Sequence, residues 1–302
     1  TWTQQAKLLA SDGAASDYFG GSVAVSGDTI LVGVQAANVG LNSDQGAAYV
    51  FVRSGTTWTQ QQKLTASDGA ASDYFGLSVA LDGDTALVSA YYDTVGVNAN
   101  QGSAYVFVRS GTTWSEQQKL TASDGAASDW FGYSVALDGE TALVGAYKDD
   151  VGFNPDQGSA YVFVRSGTTW SQQGQLTASD GTTIDYFGYS VALSGNTALA
   201  GAYYDDVVSN INQGSAYVFT RSGTAWSQQQ QLLASDGASG DKLGVDVALF
   251  GDVAIAGAYY DQVGANAQQG SAYVFVRSGT TWSEKAHPTA SDGGNSDWFG
   301  IS

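Results

Sequence analysis

Aspartate is the side chain in this sequence with the most potential for chemistry, because it recurs at fixed positions. Pairs five residues apart, such as Asp68 and Asp73 or Asp124 and Asp129, return every 56 residues, and Asp93 follows twenty residues after Asp73. Carboxylate oxygens at this density are ligands that calcium prefers. Repulsion among them raises their pKa values unless a cation or hydrogen bonds offset it.

Catalysis by other groups finds little support in the composition. Cysteine is absent and His287 is the single histidine, so thiolate metal sites are excluded and at most one Ser-His-Asp arrangement is possible. His287 stands where other repeats have Lys63 or Lys119, and we interpret it as a surface substitution. Adjacent carboxylates such as Asp149 and Asp150 do not face each other across a substrate, as glycoside cleavage requires. The sequence predicts a protein that is not an enzyme, with a glycan-active enzyme as the less favoured alternative.

A regular internal repeat must position these residues. Glycine is abundant at 39 residues and proline is rare at 2, which suits short strands joined by tight turns. The chain has no methionine and begins and ends inside a repeat, so we interpret it as a processed product or a fragment of a longer array. The tryptophans that mark the 56-residue period are Trp2, Trp58, Trp114, Trp170, Trp226 and Trp282.

One repeat reads as four antiparallel strands. In the second repeat the β-prone runs are residues 75–81, 85–91, 103–109 and 114–121, with a hairpin signal at Asp82-Gly83. The second run is apolar throughout and is predicted to be buried on both faces, whereas the glutamine-rich fourth run is predicted to face water. The predicted fold is therefore all-β, a β-propeller of four-stranded antiparallel blades with five 56-residue repeats plus a partial sixth. Other β-solenoids are the less favoured alternative.

The predicted organisation is a single repeat domain over residues 1–302. An outer strand at 1–10 precedes the units, and a partial unit at 297–302 follows them. The outer strand at 1–10 and an inner strand at 299–302 belong to no complete unit, so their edges are unpaired. We therefore predict self-association through these edges, which could extend to a head-to-tail filament. The complete repeat units are 17–66, 73–122, 129–178, 185–234 and 241–290.

Three short motifs recur along the chain and carry a resemblance to a known family. The first strand opens with Phe-Gly, as at Phe75-Gly76, the second ends in a triplet such as Gly145-Ala146-Tyr147, and Gln-Gly-Ser-Ala-Tyr-Val-Phe follows at 157–163. The chain thus resembles the FG-GAP repeat family, the integrin-alpha-like propeller repeats common in bacterial surface proteins. The resemblance implies a propeller, an extracellular setting, frequent calcium binding and adhesive roles. The family's Asp-x-Asp-x-Asp-Gly calcium loop is missing, however, because turns such as Asp82-Gly83-Asp84 are too short to surround the ion.

The four-stranded pattern also predicts on which face of the blades the acidic residues and the arginines lie. In an up-and-down blade, the loop between the second and third strands and the loop to the next blade emerge on one face, which receives twenty of the 29 acidic residues. The Arg-Ser-Gly turns, as at Arg109, lie on the opposite face. We predict calcium on the acidic face, and the alternative is that these aspartates only cap turns. The candidate ligands are Asp68, Asp73, Asp93, Asp124, Asp129, Asp149, Asp150, Asp180, Asp185, Asp205 and Asp206.

Tyrosines on the same face are candidate ligand-binding residues. Their rings could stack on sugars or anchor a protein partner, and the alternative is that they seal the blade ends. They are Tyr91, Tyr92, Tyr147, Tyr203, Tyr204, Tyr259 and Tyr260.

The overall charge narrows the classes of partner. A formal net charge of −18 repels nucleic acid and anionic lipid, and no apolar run is long enough for membrane insertion. We predict a secreted or cell-surface module for adhesion or structural assembly, with calcium and with a protein or polysaccharide partner. A lectin-like propeller and a filament subunit stay open as alternatives.

Overall fold

The computed structural model describes residues 3–302, which form twenty β-strands and no helix. Five four-stranded sheets result, each with its strands in chain order. Sheet 1 holds β1 (Ser22–Ser26), β2 (Thr29–Val34), β3 (Ala47–Ser54) and β4 (Thr57–Leu64). Sheet 2 holds β5 (Val79–Asp82), β6 (Thr85–Ala90), β7 (Ser103–Ser110) and β8 (Thr113–Leu120). Sheet 3 holds β9 (Ser134–Asp138), β10 (Thr141–Ala146), β11 (Ser159–Ser166) and β12 (Thr169–Leu176). Sheet 4 holds β13 (Ser190–Ser194), β14 (Thr197–Ala202), β15 (Ser215–Ser222) and β16 (Ala225–Leu232). Sheet 5 holds β17 (Leu243–Phe250), β18 (Val253–Ala258), β19 (Ser271–Ser278) and β20 (Thr281–Ala286).

These sheets confirm the predicted all-β class and the four-stranded antiparallel blade, one per 56-residue repeat. The terminal segments differ from expectation. Residues 3–10 and 297–302 are not in strands, and residues 1 and 2 of the expected outer strand lie outside the described residues. Instead of a backbone ladder, the first segment makes side-chain contacts: the Oε1 atom of Gln5 accepts a hydrogen bond of 2.9 Å from Nε1 of Trp58.

The chain divides into two compact units. The first comprises Thr1–Glu140 with Arg165–Trp170, and the second comprises Thr141–Val164 with Ser171–Ser302. No helix in the described chain has the length and hydropathy needed to cross a membrane.

Two-residue turns join the first and second strands of each sheet. In sheet 2, Asp82 pairs with Thr85, so Gly83 and Asp84 form the turn, one residue later than the sequence signal suggested. Gly83 has a φ of 55°, in the left-handed region that glycine adopts without steric cost.

The core lies where neighbouring sheets of a unit pack together. Every residue of β6 is buried, which confirms the predicted burial of the second strand. In the first unit, Leu31 and Val50 of sheet 1 belong to the same cluster as Phe75 and Val79 near the start of the second repeat. The second unit repeats this packing between sheets 4 and 5. Burying each large aliphatic side chain stabilises the fold by about 1.5–3 kcal/mol.

Glycines explain two of the recurring motifs. A Cβ atom added at Gly33 would lie 2.0 Å from the carbonyl oxygen of Gly76, and one added at Gly76 would lie 2.4 Å from that of Ala47. Adjacent backbones therefore approach too closely for a side chain. The Phe-Gly and Gly-Ala motifs are thus packing requirements between successive sheets.

The glutamines of the outer strands bind the next sheet rather than only facing water. Gln62 Nε2 donates to the carbonyl oxygen of Trp114 at 2.7 Å, and the Trp114 amide donates back to Gln62 Oε1 at 2.8 Å. A bulge between β3 and β4 leaves Gln61 unpaired in the ladder, and its Oε1 accepts from Nε1 of Trp114 at 3.0 Å. Trp282 makes the same contacts with Gln229 and Gln230 in the second unit.

Candidate functional site

Each sheet has two chemically different ends. We call the end with its two-residue turns the turn end. The other end, with the loop between the second and third strands and the loop that precedes the first strand, is the loop end. The predicted calcium ligands and tyrosines belong to the loop end.

In the first unit, the structure brings Asp68 and Asp93 together around an ammonium group. Lys119 Nζ lies 2.6 Å from Oδ2 of both carboxylates. The hydroxyl of Tyr105 lies 2.7 Å from Asp68 Oδ1 and 3.3 Å from Asp93 Oδ2. Burial alone would lower the pKa of Lys119, but its hydrogen bonds to the two carboxylates raise it above the ordinary value. The place expected for a metal cation therefore holds a lysine.

In the second unit, the equivalent pair is Asp180 and Asp205, and the lysine is replaced by Gln231. The hydroxyl of Tyr217 lies 3.0 Å from a carboxylate oxygen of each. Asp205 is buried and also accepts hydrogen bonds from Ser215 Oγ at 2.6 Å and Gln231 Nε2 at 3.0 Å. Burial, together with the nearby charge of Asp180, raises the pKa of Asp205.

His287 occupies the same position in the fifth repeat. Its Nδ1 lies 3.5 Å from Asp236 Oδ2 and its Nε2 lies 3.4 Å from Asp261 Oδ2, while the ring stacks on Tyr273 at 4.3 Å. Sequence reasoning took His287 for a surface substitution, yet the structure places it between two carboxylates. Its alignment with Lys63 and Lys119 was the signal for this role.

The other predicted calcium ligands serve mainly the backbone. Asp73 and Asp185 accept the amide of the residue three positions earlier at 2.5 Å, as does Asp129. Because they are desolvated, the pKa values of Asp73 and Asp185 rise to about 6. Asp149 accepts from Ser159 Oγ at 2.5 Å. Asp150 and Asp206 accept loop amides at 2.8 and 2.7 Å, and Asp124 is exposed.

These contacts show whether the predicted ligands are arranged as a calcium-binding site. Across residues 3–302, no three Asp, Glu or His side chains converge on a point that could hold a metal ion. Calcium prefers six to eight oxygen ligands, and the clustered carboxylates here are engaged by lysine, tyrosine and backbone amides instead. The described side chains therefore offer no preassembled calcium site, and calcium binding stays a prediction.

The predicted tyrosines form aromatic clusters at the loop end. In the first unit, Tyr91 and Tyr92 have ring centroids 4.2 Å apart, and both pack against Tyr74 and Trp130 at 5.2–5.8 Å. In the second unit, Tyr147 lies 5.1 Å from Tyr186.

One lysine replaces an aromatic residue in the second cluster. Lys242 Nζ lies 4.6 Å from the ring centroid of Tyr204 and 4.5 Å from that of Tyr260, with Tyr203 and Tyr259 at 5.9 and 5.5 Å. It is also 3.3 Å from the hydroxyl oxygens of Tyr204 and Tyr259. The rings are thus held rigidly by stacking and by cation–π attraction.

Apolar side chains at the loop tips were missed by sequence reasoning. Leu41 and Val97 in the first unit, and Phe153 and Val208 in the second, are fully exposed between the second and third strands of their sheets. Val208 also has a φ of 58°, where the other repeats place glycines such as Gly96. A β-branched residue in that region is strained. The apolar residues that interrupt these otherwise polar loops were the available signal.

The turn end carries exposed ion pairs. Arg109 donates from Nε to Asp84 Oδ1 at 2.6 Å and from Nη1 to Thr29 Oγ1 at 3.0 Å, and its guanidinium lies 5.2 Å from the ring centroid of Trp114. This contact joins sheet 2 to sheet 1.

Family comparison agrees with this architecture. Five segments match the model of the FG-GAP repeat, namely residues 2–51, 58–107, 114–163, 170–219 and 226–275. Comparison with curated proteins gave no significant match. Because the matched segments cover most of the chain and recur with its 56-residue repeat, the chain belongs to the FG-GAP repeat family.

Proposed function

We propose that this chain is a non-enzymatic binding module, secreted or displayed at a cell surface, that holds a protein partner through the loop ends of its sheets. The observation that carries the proposal is the set of fully exposed apolar tips defined by Leu41, Val97, Phe153 and Val208. Val208 is the most informative of the four, because it stores backbone strain and buries none of its own surface. Within each unit, exposed apolar groups at the loop ends of neighbouring sheets are typical of contact surfaces.

An array of purified secreted and cell-surface proteins tests this proposal. We expect the wild type to bind a protein on the array. A tip variant with Leu41→Ser, Val97→Ser, Phe153→Ser and Val208→Gly should bind at least about tenfold more weakly, a loss of about 1.4 kcal/mol. A turn-end variant with Asp28→Asn and Asp84→Asn is the matched control and should bind as the wild type does. Equal binding by the tip variant would overturn the proposal.

Carbohydrate binding is the second candidate, favoured by the aromatic clusters around Tyr91 and Tyr204. Tyrosine rings can stack on sugar faces. A glycan array distinguishes the two kinds of partner. If the wild type binds glycans, the variant Tyr92→Ala does not, and no protein binds on the first array, the partner is a polysaccharide rather than a protein.

Self-association is a third candidate, supported by an apolar hollow in the first unit. Phe19, Val23 and Val25 line a cavity of about 330 Å³, and Val23 is 65% exposed whereas the equivalent Val79 is 7% exposed. Light scattering over a concentration series tests it. A constant monomer mass would remove this candidate.

Calcium stabilisation is tested most sharply at Asp180 and Asp205, where the neutral Gln231 replaces the lysine and bonds to Asp205. If calcium binds there, the melting temperature rises with calcium over chelator in the wild type and not in Gln231→Lys, which copies Lys119. Equal melting temperatures of the wild type in calcium and chelator would remove calcium from the proposal.

A further inference from the structure

At the turn end, the fourth repeat departs from the other four. In those repeats the arginine near the end of the third strand pairs with a carboxylate in the turn between the first and second strands. The fourth repeat has Ser194-Gly195-Asn196 there, so its turn carries no carboxylate. The paired carboxylates elsewhere are Asp28, Asp84, Glu140 and Asp252.

Arg221 therefore keeps an uncompensated positive charge. Its Nε donates to Asn196 Oδ1 at 2.8 Å and its Nη1 to Thr141 Oγ1 at 3.2 Å. Nη2, which binds the carboxylate in other repeats, has no hydrogen-bond partner among residues 3–302. The ring of Trp226 lies 5.2 Å from the guanidinium and fixes its plane.

A cavity of about 500 Å³ lies beside this guanidinium. Two further residues that line it add positive charge or polarity. Arg277 also lines it and is paired with Asp252, so the cavity is lined by two guanidiniums of which only one has a carboxylate partner. Thr220 lines it as well, and it replaces the valine found at the equivalent position of the other four repeats. Two separate substitutions, Asn196 for an acid and Thr220 for valine, thus make the same cavity more positive and more polar.

We propose that this cavity is a binding site for an oxyanion, the sulfate or carboxylate group of an acidic ligand. A guanidinium presents its N–H donors in a planar fork that matches such a group, and Arg221 has one nitrogen of that fork open. The ligand binds Nη2 of Arg221, the nitrogen that the turn carboxylate contacts in the other repeats. The site lies at the turn end and is independent of the loop-end surface, so either proposal can fail alone.

Titration calorimetry with sodium sulfate, at constant ionic strength, tests the site. We expect one saturable sulfate per chain. Asn196→Asp restores the carboxylate present in sheets 1, 2 and 5, and it should weaken sulfate binding by at least about tenfold because the new carboxylate competes for Arg221. Arg221→Gln should abolish binding.

A transplanted site serves as the matched control. The variant Asp82→Ser, Asp84→Asn, Val108→Thr gives the second repeat the substitutions of the fourth, and it should bind a second sulfate. If glucose 6-sulfate binds more tightly than sulfate and glucose does not bind, the ligand is a sulfated sugar. If glucose 6-sulfate and sulfate bind with equal affinity, the ligand is the free oxyanion. Absence of saturable sulfate binding in the wild type, or equal binding by Asn196→Asp, would overturn the proposal.

Discussion

The loop end and the turn end of each sheet both carry paired charges, but they use them differently. At the loop end, Asp93 and Asp205 are only 5% exposed and meet Tyr, Lys, Gln or Ser groups. At the turn end, the side chain of Asp84 is 64% exposed and pairs with one arginine. Buried carboxylates must keep all their hydrogen bonds, whereas exposed ion pairs contribute little. Aspartate therefore contributes strongly to stability at the loop end. At the turn end it contributes little, so its replacement there is tolerated.

The largest expected effect that follows from this comparison is at Asp205. Asp205→Ala leaves the Ser215 hydroxyl, the Tyr217 hydroxyl and the Gln231 amide without their shared acceptor. We expect a loss of about 3–5 kcal/mol in the free energy of unfolding, measured by denaturant titration. Asp84→Ala is the matched control and should cost under about 1 kcal/mol. Similar losses for the two variants would refute the distinction between the ends.

The pH dependence of stability comes next in size. Burial raises the pKa values of Asp73, Asp185 and Asp241 to about 6 in the folded protein, against an ordinary value near 3.9 in the unfolded chain. Between pH 4 and 6 the unfolded chain has lost protons that the folded state keeps, so these groups lower stability as pH rises through that window.

Replacing the three aspartates by asparagine tests this sign. The triple variant keeps an oxygen to accept the backbone amide and carries no charge. It should be more stable than the wild type at pH 7, by about 2–3 kcal/mol per site, and the difference should vanish near pH 4. A constant difference across this range would contradict the assigned pKa values.

A smaller gain is expected at the histidine. His287→Lys would place an ammonium between Asp236 and Asp261, as Lys119 lies between Asp68 and Asp93. At pH 8 we expect stabilisation of about 1 kcal/mol by thermal unfolding, because charged hydrogen bonds replace contacts to a ring. Lower stability would show that stacking of His287 on Tyr273 is worth more than the added charge.

The smallest effect is expected at the turn end. Asp84→Asn removes an exposed ion pair but leaves Arg109 bonded to Thr29 and stacked on Trp114. The loss should be about 0.2–1 kcal/mol in low salt and should disappear in 1 M NaCl, by thermal unfolding in both buffers. A salt-independent loss would mean that the pair acts through packing rather than charge.

Local patterns in the sequence predicted most of the fold. The strand order, the glycine turns and the buried second strand follow from alternation, Gly positions and runs such as Thr85–Ala90, because these depend on residues adjacent in the chain. The contacts of the candidate site could not be predicted in the same way. Tyr105 and Lys119 lie 37 and 51 residues from Asp68, and no local rule brings those groups together.

By itself, the sequence determined the repeat, the all-β class and the family, since 56-residue periodicity and motifs such as Phe75-Gly76 are written in residue order. Only the tertiary structure decided what each charge does. It showed Lys119 between two carboxylates, Val208 strained and exposed, and Arg221 beside an open cavity. The physical reason is that burial and hydrogen bonding depend on which sheets pack together, and those contacts join residues far apart in the chain.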